Sequence, residues 1–154
     1  MKIRLVSVGK PRDRELDALH TRYADRLKQL GVEYSLRIVP ETRAGGRYSD
    51  EHVKEREAAA LRDALEPRGL KVALDPRGKL LDSPGLAEQL ERWATPELSL
   101  ILGGPLGLHK TLRLESDHCW SLSPLTFTHE LARVLVAEQL YRAMTILRGI
   151  PYHK

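Results

Sequence analysis

The chain of 154 residues has a single cysteine, Cys119. A disulfide within the chain is therefore impossible, which fits a reducing compartment and leads us to expect a cytoplasmic protein. A lone cysteine can be a nucleophile, but Cys119 begins an apolar run, where a buried thiol is the commoner case. The six histidines have no second cysteine to join and show no zinc-motif spacing, so we expect no bound metal.

Long hydrophobic runs are missing as well. The apolar part of the first ten residues, MKIRLVSVGK, is interrupted by Lys2 and Arg4 and is too short for a signal peptide. Nothing in the sequence approaches the roughly 20 apolar residues of a membrane-spanning helix. We therefore expect no membrane partner.

Familiar nucleotide-binding and hydrolase motifs are also absent. The segment GGPLG at 103–107 lacks the glycine spacing of a dinucleotide fingerprint and the Lys-Ser/Thr pair of a P-loop. Asp117 and His118 have serines nearby, but no G-x-S-x-G elbow supports a hydrolase. Segment 103–107 is thus either a plain tight turn or a place where backbone can approach a flat ligand closely.

What the chain does have is a globular composition. Apolar residues make up 42% and charged residues 30%, and the length is that of one ordinary domain, so we expect a single domain over residues 1–154. The net charge of +4 is a mild surplus. It is compatible with a solvated surface and also suits an anionic partner such as RNA.

The alternation of short apolar runs with amphipathic segments predicts an α/β fold. We expect strands at 3–8, 32–39, 70–74, 98–102 and 120–122, with helices between them, of which the one that runs to Trp93 should be capped by Ser83. This order is typical of a parallel sheet with helices on both faces. Ligands bind such sheets at the carboxyl ends of the strands, which is where Leu74, segment 103–107 and segment 121–127 fall.

A last helix is predicted over 129–148, with apolar stripes on two sides. Gly149 and Pro151 should end it, and Glu138 should pair with Arg142 one turn later. No acidic residue follows Glu138, so the chain ends in a basic tail with an aromatic residue, which we expect at the same sheet edge as the strand ends. Taken singly, these residues have plainer interpretations, with His129 as a helix cap and the tail as a frayed end.

The sequence resembles a known family, ribosomal RNA large subunit methyltransferase H. The likeness rests on VALDPRGK (72–79), ILGGPLGL (101–108), WSLSPLTFTHELARVLVAEQLYRA (120–143) and the terminal PYHK (151–154). It extends over the whole chain, including MKIRLVSVGK at the start. The sequence departs from the family pattern at Thr128, where the family has proline, and this bears on the shape of the turn.

The resemblance implies a SPOUT-class fold, in which the C-terminal part of the sheet is tucked through a trefoil knot. Periodicity does not predict a knot, and knots are rare. The resemblance also implies a homodimer that binds S-adenosylmethionine (SAM) in the knot at the subunit interface, which a helix apolar on two sides fits independently. The implied substrate is a pseudouridine of 23S rRNA, methylated at N3 in the assembled 70S ribosome.

The same resemblance implies roles for individual residues. Those that would cradle SAM are Leu74, Gly103, Gly104, Leu122, Ser123, Pro124, Leu125, Thr126 and Phe127. Those that would face the target base are His129, Arg133, Arg142, Tyr152 and His153. A histidine could take the imide proton, and an arginine would favour the resulting anion. We expect phosphate contacts from Lys10, Arg43 and Arg47.

Two alternatives stay open from the sequence. One is a non-catalytic ribosome- or RNA-binding α/β module, which would have no use for the glycine segment, the serine-containing segment 121–127 and Arg142 together. The other is a flavodoxin-like nucleotide binder, which should carry phosphate-binding Ser or Thr residues early, and the loop at 8–11 lacks them. The sequence therefore favours the methyltransferase.

Overall fold

Strands and helices alternate along the whole chain. The computed structural model describes residues 1–43, 45–93 and 96–154. The elements in these ranges are β1 (Lys2–Val8), α1 (Arg14–Gln29), β2 (Glu33–Val39), α2 (Asp50–Asp63), β3 (Leu70–Leu80), α3 (Ser83–Trp93), β4 (Leu98–Leu102), α4 (Lys110–Glu115), β5 (His118–Ser121) and α5 (His129–Leu147). The predicted α/β order is confirmed.

The five strands form one sheet in the order β2-β1-β4-β3-β5, and every neighbouring pair is parallel. The register pairs Leu74 of β3 with Leu102 of β4 on one side and with Trp120 of β5 on the other. Leu74, which ends the first half of β3, therefore lies beside the carboxyl ends of β4 and β5, and we refer to this point as the carboxyl end of β3 in the sheet. The predicted parallel sheet brings the three predicted ligand-binding segments to one edge.

Helices cover both faces of the sheet, as predicted. On one face α1, α3 and α5 bury the side chains of Leu27, Leu90 and Leu140. On the other face α2 and α4 bury those of Leu61 and Leu112. Leu100 and Ile101 are neighbours on β4 but belong to the two different apolar clusters, so β4 is buried on both sides.

Helix α5 begins and ends at defined caps. The hydroxyl of Thr128 accepts a hydrogen bond from the Leu131 N–H at 3.3 Å, so Thr128 is the N-cap and the interpretation of His129 as the cap was wrong. Gly149 follows the helix with a φ of +62°, the left-handed conformation that favours glycine. The predicted ion pair is present, with Arg142 Nη2 2.6 Å from Glu138 Oε1.

Strand β3 is longer than the predicted 70–74. Its second half pairs again with β5 after a register shift between Leu74 and Lys79. A Cβ placed on Gly78 would lie 2.7 Å from the carbonyl carbon of Trp120, so only glycine lets the two backbones approach this closely. The implied trefoil knot stays a prediction.

Helix α3 also differs at its start. Asp82 precedes it and its Oδ1 accepts the Gly85 N–H at 2.8 Å, so Asp82 caps this helix and not the predicted Ser83. Ser83 instead donates its hydroxyl to Gln139 Oε1 at 3.0 Å. This bond ties α3 to α5.

Candidate active site

A cleft opens at the carboxyl ends of β3, β4 and β5. Its empty volume, including space that is open to solvent, is about 610 Å³. Eight of the nine residues predicted to hold the cofactor line it: Leu74, Gly103, Gly104, Leu122, Ser123, Leu125, Thr126 and Phe127. The ninth, Pro124, is exposed and is not among the lining residues. Lining residues outside the predicted set are Asp75, Pro76, Leu102, Pro105, Gly107, His129 and Ala132.

The glycine segment after β4 is both a tight turn and a wall of the cleft. The Gly107 N–H donates to the Gly104 carbonyl at 2.9 Å, and Gly107 has a φ of +82°. A Cβ on Gly103 would lie 2.6 Å from the carbonyl carbon of Gly107, so the turn closes on itself where a side chain would stand. The interpretation as a tight turn is therefore confirmed, and the close approach of a flat ligand stays a prediction. Gly103, Gly104 and Gly107 of this turn line the cleft together with Pro105.

The segment after β5 forms the opposite wall. Ser123 turns the chain, since its hydroxyl accepts the Leu125 N–H at 3.0 Å. Leu125 is 70% exposed, an unusual fraction for a leucine, while Phe127 packs partly against the core. The wall therefore presents apolar surface at the mouth of the cleft.

Asp75 closes the β3 end of the cleft with a buried carboxylate. Its Oδ1 accepts hydrogen bonds from the backbone N–H of Arg77 at 2.9 Å and from Arg77 Nε at 3.1 Å. Its Oδ2 lies 3.9 Å from Arg113 Nε on α4. The carboxylate thereby fixes the path of β3 beyond Leu74.

His129, the first residue of α5, lines the cleft. Burial lowers the pKa of His129 below its ordinary value, and the positive charge of Arg133 lowers it further. A Cβ on Gly9 would lie 3.4 Å from His129 Nε2 and 3.2 Å from Glu41 Oε2, so the imidazole and this carboxylate both pack against the end of β1. The imidazole is thus neutral near pH 7 and able to accept a proton at the cleft.

Arg133 occupies a different place from the one implied by the resemblance. It is 3% exposed and is not among the residues that line the cleft. Its Nε donates to Ser7 Oγ at 2.8 Å, and its Nη2 donates to the carbonyls of Val8 and Gly9. The guanidinium therefore holds the carboxyl end of β1 against α5.

The C-terminal tail folds back on α5 and is not frayed. Tyr152 donates its hydroxyl to Glu138 Oε1 at 3.0 Å, and the Arg142 guanidinium lies 4.7 Å from the Tyr152 ring centroid. His153 Nδ1 lies 3.5 Å from Arg142 Nη1. Burial raises the pKa of Tyr152, and its bonds to Tyr23 and Glu138 raise it further. We call Glu138, Arg142, Tyr152 and His153 the tail cluster.

The cleft lies at the first turn of α5, whereas the tail cluster packs against the middle and the later turns of this helix. His129 and Arg142 are 13 residues apart on this helix, which corresponds to about 20 Å at 1.5 Å per residue. The expectation that the tail meets the strand ends within one chain was therefore wrong. The sequence pattern placed both features on one helix, but the length of that helix keeps them apart.

The described residues also bring together one group with metal-ligand atoms that sequence spacing did not indicate. Ligand atoms of Glu51, Glu55 and His109 lie within 4.8 Å of one another. His109 Nδ1 accepts the Thr111 N–H as the cap of α4, which leaves Nε2 to donate to Glu51 Oε1 at 2.8 Å. This arrangement is a helix cap with a hydrogen bond to a carboxylate, and the expected lack of a metal stays a prediction. In the same ranges of the chain, none of the helices has the length and apolar character needed to cross a membrane.

Comparison with known proteins gives the class of the molecule. A family model described as "Predicted SPOUT methyltransferase" matches residues 1–153. A solved structure, that of a probable methylase family protein from Haemophilus influenzae Rd KW20, superposes with a TM-score of 0.56 and covers 99% of this chain and 70% of that one. Their sequences are 16% identical, so this likeness shows the fold alone. The protein is a methyltransferase of the SPOUT class.

Curated relatives narrow the class to one family. The chain is 42% identical over 156 residues to ribosomal RNA large subunit methyltransferase H of Alkalilimnicola ehrlichii and 38% identical over 156 residues to that of Thioalkalivibrio sulfidiphilus. Each comparison covers 100% of this chain and 99% of the relative. The chain therefore belongs to the ribosomal RNA large subunit methyltransferase H family. The resemblance seen in the sequence is confirmed, and the two non-methyltransferase alternatives lose their support.

Proposed function

We propose that this chain, as one domain over residues 1–154, transfers a methyl group from SAM to N3 of a pseudouridine in 23S rRNA. The acceptor is the assembled 70S ribosome in the cytoplasm, and the active enzyme is a homodimer without a metal. The observation that carries the proposal is the cleft at the ends of β3, β4 and β5, lined by eight of the nine residues that the family resemblance implies for the cofactor.

The cleft suits an adenosyl cofactor. The glycine turn and the 122–127 segment offer backbone N–H and C=O groups to an adenine edge, and Leu74, Leu102 and Phe127 supply apolar walls. A side chain on Gly103 would fill the turn, which supports a role for bare backbone there. When bound, SAM supplies an electrophilic methyl carbon on a sulfonium centre. The residues of the cleft would hold the methyl donor and the acceptor in line. Such positioning supplies much of the rate in displacements of this kind.

His129 is the group best placed to handle the acceptor proton. An imide nitrogen reacts poorly until it loses its proton, and a neutral imidazole at the cleft can accept that proton. The lowered pKa of His129 keeps this form available near pH 7. General-base catalysis of this kind contributes about 10²–10⁴-fold.

The distance between the cleft and the tail cluster supports a dimer. If Arg142, Tyr152 and His153 face the base, the tail cluster at a given cleft belongs to the second copy of the chain. Exposed apolar side chains occur at both places, with Leu125 at the cleft mouth and Leu147 and Ile150 beside the tail. In a two-fold symmetric dimer that places each cleft against the tail of the partner, both apolar patches would be buried in both copies.

The contact with the ribosome is assigned to basic residues near the cleft. Lys10, Arg43 and Arg47 are exposed and follow the carboxyl ends of β1 and β2, the sheet edge that also carries the cleft. Each guanidinium or ammonium group there can neutralise one phosphate of the rRNA backbone. The cleft would then receive the base while the surrounding surface holds the backbone.

The test is transfer of labelled methyl from SAM to particles that lack the modification, comparing 70S ribosomes, free 50S subunits and naked 23S rRNA. The proposal predicts label with 70S ribosomes, in 23S rRNA at N3 of a pseudouridine. Label on naked rRNA would contradict the requirement for an assembled particle. Absence of label from every acceptor, with SAM still bound by calorimetry, would contradict the rRNA target but not the cofactor.

A further inference from the structure

Glu57 on α2 is a buried acid in an apolar position. It is 3% exposed, and Val53 and Leu61, one turn before and one turn after it, are buried on the same side of the helix. A buried carboxylate costs free energy unless its oxygens are hydrogen-bonded. Oε1 accepts the Thr42 N–H at 3.2 Å, but Oε2 has no hydrogen-bond partner among the described residues. An apolar side chain would satisfy the helix pattern at lower cost.

The carboxylate lies directly behind the glycine turn of the cleft. A Cβ built on Gly104 would lie 3.1 Å from Glu57 Oε2, 3.3 Å from Oε1 and 3.1 Å from Val8 Cγ1. Gly104 itself lines the cleft. Glu57 therefore packs against a residue that lines the cleft, although it does not line the cleft itself.

Through its other oxygen Glu57 reaches a second functional segment. Thr42 follows β2 and precedes the exposed Arg43 and Arg47. Its backbone N–H is fixed by the same carboxylate that packs on Gly104. One side chain thus contacts both the wall of the cleft and the start of the segment that carries Arg43 and Arg47, which we call the basic segment.

The pKa of this acid is shifted as well. Burial raises the pKa of Glu57, the Thr42 N–H opposes this rise, and the neighbouring Glu41 adds to it. Acids that combine burial, a nearby like charge and an incompletely bonded oxygen are concentrated at functional sites.

We infer that Glu57 is a positioning residue for methyl transfer, which holds Gly104 and Thr42 at a fixed separation. The glycine turn and the basic segment then keep one relative position when the RNA engages. This inference rests on the proposed function and adds a residue that acts from behind the cleft. Removing the carboxylate frees both segments while leaving the apolar core intact.

The experiment compares Glu57→Met, which keeps the length and is apolar, with Glu57→Gln, which keeps an acceptor for the Thr42 N–H. Glu55→Met is the matched control, since Glu55 is on the same helix with its side chain 56% exposed. The readouts are the melting temperature, the SAM dissociation constant by calorimetry, and kcat for labelled methyl transfer to ribosomes.

Glu57→Met should melt at or above the temperature of the unaltered protein, because a buried carboxylate has been removed. Its SAM affinity should fall about tenfold and its kcat by a similar factor, because displaced groups lose effective positioning. Glu57→Gln should stay within about threefold of the unaltered enzyme in both. Glu55→Met should change none of the three quantities.

A melting temperature that falls together with activity in Glu57→Met would make Glu57 a structural residue and overturn the inference. Unchanged SAM affinity and kcat in a folded Glu57→Met would overturn it too, as would equal losses in a folded Glu57→Gln. If Glu57→Met does not fold, Glu57→Asp, which draws the carboxylate back by one methylene, should show the same loss of SAM affinity. Failure of the unaltered protein to bind SAM would instead overturn the proposed function.

Discussion

Arg133 on α5 donates a hydrogen bond from Nη2 to the main-chain oxygen of Val8 at 2.5 Å. The last helix is thereby joined to the end of the first strand, 125 residues earlier. Because the guanidinium is buried and also bonds to Ser7 and Gly9, its contribution lies in holding β1 beside the cleft.

Arg133→Met should therefore lower stability. Loss of the guanidinium leaves a buried hydroxyl and two buried carbonyls without their donor, and we expect the free energy of unfolding to fall by about 3 kcal/mol. Denaturant titration measures this, with Arg148→Met as an exposed control. A variant that is as stable as the unaltered protein but inactive would place the guanidinium at the substrate instead.

His129→Gln should remove the acid limb of the pH–rate profile. Burial lowers the pKa of His129 from its ordinary value of 6.5, so the neutral imidazole persists to lower pH than in an exposed histidine. Activity of the unaltered enzyme should fall only as the pH drops below 6.5, when the base becomes protonated.

The variant should lose about 10²–10⁴-fold in kcat and lack this limb, measured from about pH 5 to about pH 9. His52→Gln, at an exposed position on α2, is the control and should keep both rate and profile. An acid limb that survives in His129→Gln would assign the titration to another group.

Arg142→Ala should leave SAM binding intact while lowering methyl transfer. The guanidinium lies about 20 Å along α5 from the cleft of its own chain, so calorimetry with SAM should give an unchanged dissociation constant. Labelled transfer to 70S ribosomes should fall at the same time. Equal losses in SAM binding and transfer would mean that Arg142 serves the fold.

Mixed dimers test whether cleft and tail come from different copies. A heterodimer of His129→Gln and Arg142→Ala chains, purified through two different tags, contains one site with both substitutions and one with neither. It should recover about half the rate of the unaltered dimer, because one of two symmetric sites is complete. A heterodimer no more active than either parent would place both groups in one chain's site.

Salt should weaken ribosome binding steeply. The logarithm of the binding constant should fall with the logarithm of salt concentration, and removing Arg43 and Arg47 together should reduce that slope by about 1.5–2. Removing the exposed Lys28 and Arg68, which lie before the amino ends of strands, should leave the slope unchanged. A salt-independent binding constant in the unaltered protein would contradict phosphate contact.

Sequence patterns predicted the sheet and the cleft because both follow from local rules. Segment 98–102 is apolar except for the buried Ser99, as expected for a strand that is covered on both faces, and parallel strands bring their carboxyl ends together. The sequence alone therefore groups Leu74, Gly103 and Phe127.

Other features depend on contacts that periodicity does not encode. Arg133 has the sequence appearance of a solvated helix charge, but its side chain reaches acceptors on β1. Glu57 interrupts an apolar stripe in a way that resembles an exposed position. The extension of β3 past Leu74 is visible only in its pairing with β5, since 75–80 contains Pro76 and Gly78.

In the proposed dimer, the length of α5 sets the distance between two groups that serve different sites. His129 serves the cleft of its own chain, and Arg142 serves the cleft of the partner. The number of residues between them must therefore suit the positions of both groups at once. Inserting or deleting a single residue in this interval would turn the far end by about 100° and shift it by about 1.5 Å. Changes in length that surface loops absorb would therefore disable both reaction centres here, even where every side chain is retained.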